Sequence, residues 1–189
     1  MPGLWAAGDH ASITTILTNM ENLGTLDELR GEPEKWRVHV CALLQGELRG
    51  LAAPAEQAFA RVAEVSFQED IEAPLKEGKA RFGELQRAQL PYTKFRGVAG
   101  QDHVEMVLQK AMQDSAKRVD AFSLRPSAEL EPVADLVWRL WALPSEVNNP
   151  AFFEHACSCI KRVFARLDGK FNYDSLADLL TDRSASHAS

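Results

Sequence analysis

Residues 150–169, PAFFEHACSCIKRVFARLDG, carry the most legible helical signal in the chain. Phe153, Ala156, Cys157, Ile160, Phe164 and Leu167 recur at the spacing of one helix face. Asn149 stands ahead of them as an N-cap, and Pro150 occupies the first helical position, where its fixed φ and missing N–H cost nothing. Gly169 follows Leu167 where a C-terminal turn favours a residue without Cβ. Working outward, Val133, Leu136, Val137, Leu140 and Trp141 form a second stripe that Pro144 closes, so 127–180 reads as a helical hairpin with a short last helix capped by Asp174.

Toward the N-terminus the same reasoning yields more helices. Residues 1–10 read as an extended lead-in with Trp5 as an anchor. Ser12 can cap a helix carrying Ile13, Ile16, Leu17 and Met20, which ends near Gly24. Thr25 and Glu28 have the spacing of a capping box. Pro33 opens a helix with Trp36, Val40, Leu43, Leu44, Leu48 and Leu51 on one side, broken at Ala53-Pro54. A further helix carries Phe59, Val62 and Phe67 to about Ile71, and Pro74 kinks or restarts it. A thinner stripe (Leu75, Phe82, Leu85) continues to Leu90. The loop 91–101 follows, and Asp102 with Glu105 caps a long regular helix through Val104, Val107, Leu108, Ala111, Met112, Val119 and Phe122.

No stretch alternates β-branched and polar residues between hairpin signals, and no repeat recurs at a solenoid period. The fold class is therefore all-α: an irregular bundle of six to eight helices with short connections and essentially no sheet. Residues 11–180 form one helical domain, with 91–101 as the place where two lobes would meet, and 181–189 form a disordered tail. At 189 residues and 46% apolar content, the core needs neither metal nor disulfide.

The net charge of −6 argues against a general nucleic-acid binder. Three cysteines, an odd and small number, fit a reducing compartment. Residues 1–9 lack the basic and apolar regions of a signal peptide, and no run is long enough to span a bilayer. The expectation is a soluble cytoplasmic protein.

Searches for chemistry return little. Phosphate-binding glycine loops, H-E-x-x-H and G-x-S-x-G are absent, as are the Glu-x-x-His pairs of di-iron bundles. His155 and Cys159 are four apart on one helix, but structural zinc needs four ligands and no second pair has compatible spacing. From Asp168 an EF-hand register would put Lys170, Tyr173 and Leu179 at positions that need a ligand, a glycine and a bidentate glutamate, so calcium is rejected. Gly97–Gly100 matches a G-x-x-G clamp without the sheet that such a clamp requires. No cofactor, metal or catalytic residue is assigned.

One charge feature stands above background. Between Leu75 and Arg96, six cations (Lys76, Lys79, Arg81, Arg87, Lys94, Arg96) face two carboxylates (Glu77, Glu84), with Tyr92 and Phe95 interleaved. The plainer reading is a solvated helix face that pairs with Glu64, Glu69, Asp70 and Glu72. The sharper one is a docking surface for an acidic protein, an anionic lipid headgroup or a nucleic-acid backbone, the last disfavoured by the net charge. Trp138, three residues from Trp141, joins this set as a binding anchor if exposed, and as core otherwise. The leading expectation is a non-enzymatic helical interaction module or small subunit of a larger assembly. The alternatives are a bundle that binds anionic lipid through 75–96, and an enzyme whose site draws on distant residues such as His39, His103 or His155.

Overall fold

Asn149 caps the last long helix as its position requires: its side-chain oxygen accepts from the Phe152 N–H at 3.1 Å, and its carbonyl accepts from Phe153 at 3.0 Å. The computed structural model describes residues 2–25, 31–64, 71–95, 98, 102–122, 130–147, 149–167, 174, 177–178 and 181. Among them lie seven α-helices and no strand: α1 (Pro2–Ala6), α2 (His10–Leu23), α3 (Glu32–Glu64), α4 (Glu72–Gln89), α5 (His103–Ala121), α6 (Leu130–Val147) and α7 (Pro150–Leu167). A 3-10 turn, Leu90–Tyr92, follows α4. The all-α bundle expected from periodicity is the fold observed. Beyond α7, Asp174, Ala177, Asp178 and Thr181 are helical, where a last short helix was expected; its Leu176, Leu179 and Leu180, and residues 182–189, lie outside the described residues.

The chain divides into two compact units. Unit 1 comprises Met1–Pro54 and Ala80–Met106, and unit 2 comprises Ala55–Lys79 and Val107–Ser189. The 91–101 loop belongs to unit 1, and the chain passes from one unit to the other within α3, α4 and α5.

In unit 1 the lead-in is not extended: Pro2–Ala6 is helical, and Gly8 turns the chain at φ +68, a left-handed conformation that favours glycine. Asp9, rather than Ser12, caps α2. Its carboxylate accepts from the Ser12 N–H at 3.0 Å and from the Ser12 hydroxyl at 2.6 Å. Thr25 donates back to the Asn22 carbonyl at 2.7 Å, and the remainder of the expected capping box lies outside the described residues. Asp102 caps α5 as expected, accepting from the Glu105 N–H at 3.1 Å. Gln89 braces that cap, donating to Asp102 at 2.7 Å and accepting from the Val104 N–H at 3.3 Å.

Pro54 does not break α3, which runs unbroken from Glu32 to Glu64. Leu48, Ala52, Ala55, Phe59 and Val62 are all buried at spacings of four, three, four and three. Continuing the helix keeps them on one stripe, and this burial offsets the roughly 3 kcal/mol that an interior proline costs. Pro74 restarts the helix at α4, in the first turn, where the absent N–H has no helical partner to lose. Pro144 lies inside α6, which ends three residues later at Val147.

The core of unit 2 joins Val119 of α5 with Val133, Ala134, Leu136, Val137 and Leu140 of α6 and Cys159 and Val163 of α7. Phe122, Ile160 and Phe164 pack against it. The buried line of α7 is Phe152, Ala156, Cys159 and Val163, one step round from the stripe beginning at Phe153, which is exposed. At the end of α5, Arg166 donates to the Val119 carbonyl at 2.7 Å, and Arg162 pairs with Asp120. Cations suit these last carbonyls.

Among the described residues of unit 2, one ion pair is buried. Arg139 and Asp135 stand four apart on α6, with Nε donating to Oδ2 at 2.6 Å and both side chains excluded from solvent. Arg139 also donates through Nη1 to the Val62 carbonyl at 3.1 Å, in the last turn of α3. Asp135→Ala leaves the guanidinium charged, buried and without its carboxylate, so chemical denaturation should show a loss of about 3–5 kcal/mol. Exchanging Asp135 and Arg139 together for leucine and methionine should recover most of it.

Two glycines of α4 separate packing from propensity. A Cβ on Gly78 would sit 2.6 Å from the Phe59 ring, whereas one on Gly83 would meet nothing within 4 Å. Gly83→Ala should therefore stabilise by up to about 1 kcal/mol, through helix propensity. Gly78→Ala should destabilise, because forcing a packed ring aside costs about 1–3 kcal/mol. Thermal melts of the two variants give the signs directly.

Candidate functional site

The basic segment is divided between the two units. Lys76 and Lys79 are exposed on the part of α4 that belongs to unit 2, and Arg81, Arg87 and Lys94 are exposed in unit 1. Within unit 1, Arg81 bonds Glu84 at 3.2 Å, one turn away, and the Arg87 Nε donates to the Gly83 carbonyl at 3.2 Å. In unit 2, Glu77 pairs with Arg61 at 2.8 Å. Arg96 lies outside the described residues, as do Glu69, Asp70 and the Glu64 side chain.

The interleaved aromatics do not offer surface. Tyr92 and Phe95 are buried, which corrects their assignment as contact residues. Their apolar bulk fills unit 1, while Lys94 lies over the Phe95 ring at 5.0 Å from its centroid. The Tyr92 hydroxyl shares a 2.7 Å hydrogen bond with Nδ1 of His10. Trp5 packs edge-on to His10 with ring centroids 5.3 Å apart, and at 6.3 Å from Tyr92. Trp5 is thus the anchor its position suggested, closing α1 over α2 and the 3-10 turn.

Burial pushes the Tyr92 hydroxyl up to about 12, and the nearby Asp9 carboxylate adds to the shift. At neutral pH this phenol holds its proton and takes no part in acid–base exchange. Its linkage to stability has a definite sign. The unfolded chain ionises near pH 10 and the native state nearer 12, so this contribution is intact below pH 10 and lost as pH rises through that window. Spectrophotometric titration at 295 nm should show a late tyrosinate component near pH 12 that Tyr92→Phe removes.

The three histidines considered for catalysis do not converge. His39 is exposed on α3 and His103 is buried at the start of α5, both in unit 1, while His155 lies on α7 in unit 2. The closest approach to a nucleophilic pair is His155 with Cys159, whose Sγ is 3.5 Å from Nε2. That same nitrogen lies 3.0 Å from the Met112 carbonyl, which can only accept, so Nε2 carries a proton and donates it. A nitrogen so engaged cannot take the thiol's proton. Burial also pushes the Cys159 thiol up, away from thiolate. The pair is a packing element that ties α7 to α5.

Among the described residues, no group of three or more His, Cys, Asp or Glu could hold a metal ion. A cavity of about 10 Å³ lies beside the buried ion pair, lined by Val62, Ser115, Arg118, Leu136 and Arg139 among others. It has room for about one water molecule and none for a substrate. No described helix is long and apolar enough to cross a membrane.

What the surface of unit 2 does present is aromatic. Trp138 is half-buried, whereas Trp141, which the sequence placed in the apolar stripe, is 44% exposed. The buried line of α6 continues through Leu140 and Leu143 and leaves Trp141 outside it. Trp141 meets Phe153 of α7, itself 41% exposed, edge to face with centroids 5.1 Å apart. The connection between α6 and α7 brings the two rings together, since Trp141 lies in the second half of α6 and Phe153 in the first turn of α7. Sequence reasoning named Trp138 and passed over Phe153 as core; the run Phe152-Phe153 contained the signal, because neighbours lie about 100° apart on a helix and a single narrow buried line takes only one of them. No protein-family model, curated protein or solved structure matches this chain.

Proposed function

We propose that the chain is a non-enzymatic helical interaction module, or a small subunit of a larger assembly, that docks a partner protein on the α6–α7 hairpin. The observation that carries this reading is the Trp141–Phe153 pair: two large rings packed on each other, each more than two-fifths exposed. Aromatic residues of this kind dominate the binding energy of protein interfaces. His155, one of the three candidate catalytic histidines, supports it from the other side, since its Nε2 is committed to the Met112 carbonyl within unit 2.

The partner surface is apolar at its centre. The basic segment flanks no exposed aromatic of its own, because Tyr92 and Phe95 are buried, and its exposed cations serve as a solvated charged face. Three free cysteines are in keeping with a reducing cytoplasmic setting.

Affinity capture from native lysate with the full chain tests the reading. A stoichiometric partner should survive high salt and be lost from Trp141→Ala and Phe153→Ala, each weakening binding by about 2 kcal/mol or more with helicity unchanged. Equal capture by wild type and both variants would overturn it.

A further inference from the structure

We infer that α3 is a self-association surface, on which a second copy of this chain packs antiparallel through the stripe Trp36, His39, Leu43, Gly46, Gly50 and Ala53. These six residues recur at three- and four-residue intervals, the spacing of a two-helix seam. All six are exposed, Trp36 at 61% and Leu43 at 37%, on the face of α3 opposite its buried line Val40, Leu44, Leu48 and Ala52. The apolar residues that the sequence placed along one side of this helix thus divide: Val40, Leu44 and Leu48 are buried, whereas Trp36 and Leu43 are exposed.

The glycines give the argument its direction. Gly46 and Gly50 sit in the interior of a long helix, where glycine lowers stability relative to alanine. Among the described residues nothing requires their small size, since a Cβ at either position would meet no atom of theirs within 4 Å. A close approach by another helix accounts for both.

The order of large and small residues then fixes the pairing. In an antiparallel seam, Trp36 faces Ala53 of the second copy, His39 faces Gly50 and Leu43 faces Gly46. Symmetry repeats each layer, so every bulky residue meets a small one. A parallel pairing would set Trp36 against Trp36 and glycine against glycine, with a clash at one end and a void at the other. The flanking charges agree: in the same register Lys35 of one copy lies beside Glu56 of the other, twice over by symmetry. The stripe itself carries no formal charge, as the centre of an interface requires. This surface is separate from Trp141 and Phe153 and does not rest on the docking proposed there.

Sedimentation velocity on the full chain over a micromolar concentration series tests the inference. The wild type should show a monomer–dimer equilibrium, and Trp36→Ala should weaken it about tenfold or more. Gly46→Leu with Gly50→Leu separates this register from a merely sticky face: the monomer tolerates the added side chains, yet the dimer should weaken at least tenfold. Lys35→Glu should weaken the dimer, and adding Glu56→Lys should restore it. A wild type monomeric throughout, tighter association of the leucine variant, or no rescue by the charge swap would overturn the inference. Trp141→Ala should leave the dimer unchanged, so failure of one surface is distinguishable from failure of the other.

Discussion

The constraint on which unit 2 depends is the buried pair of Arg139 and Asp135. Two charges removed from water lose hydration worth several kcal/mol each, and they persist only where geometry and further hydrogen bonds compensate. Here the carboxylate lies 2.6 Å from Nε, and the guanidinium spends another donor on the Val62 carbonyl, which α3 cannot satisfy from within its own last turn. The pair therefore solves two problems with one side chain. It fixes the rotation of α6, because both residues must face inward, and it sets where the end of α3 meets it. Apolar neighbours such as Leu136, Val137 and Leu140 contribute the bulk of the stabilisation, but they would tolerate a shift that the ion pair does not.

How much of this was legible in the chain depended on the physics of each position. The caps at Asn149 and Asp102 were readable, because they act through a local geometry that three or four residues specify, whereas at α2 the nearby candidates Asp9 and Ser12 left the choice to the fold. Helix class was readable from the period of the apolar residues. The breaks at Pro54 and Pro144 were not, because a proline's local penalty is outweighed by burial that depends on distant partners. Face assignment was ambiguous wherever large apolar residues adjoin. On α7 the stripes starting at Phe152 and at Phe153 fit the period almost equally, and only packing against α5 and α6 selects the first. The same ambiguity put Trp141 in the apolar stripe of α6.

The two aromatics of the expected basic-aromatic site are buried for a related reason. Lys94-Phe95 and Tyr92 look like a contact motif in one dimension, yet apolar residues on a turn beside charged ones are as readily the plug of a core as its bait. Tyr92 is held by His10, more than eighty residues earlier in the chain, which no local reading reveals. Conversely, His155 and Cys159 have catalytic-looking spacing, but the Met112 carbonyl has already claimed the nitrogen that catalysis would need. In each case a tertiary partner, absent from the local sequence, decides between chemistry and packing.

The interleaving of the two units within α3, α4 and α5 bears on how the chain can be cut. Neither unit is a continuous stretch of polypeptide, so no single cleavage separates them. A fragment ending at Met106 would keep all of unit 1 but drag along residues 55–79. Among these, Phe59, Val62, Ile71 and Leu75 are buried in the whole chain and would lose α5, α6 and α7 as neighbours in sequence. Such a fragment would carry an orphaned apolar surface and tend to aggregate, whereas the intact polypeptide supplies those residues with the rest of unit 2. Inheritance of this architecture is therefore all or nothing: it cannot be assembled by joining one finished domain to the end of another.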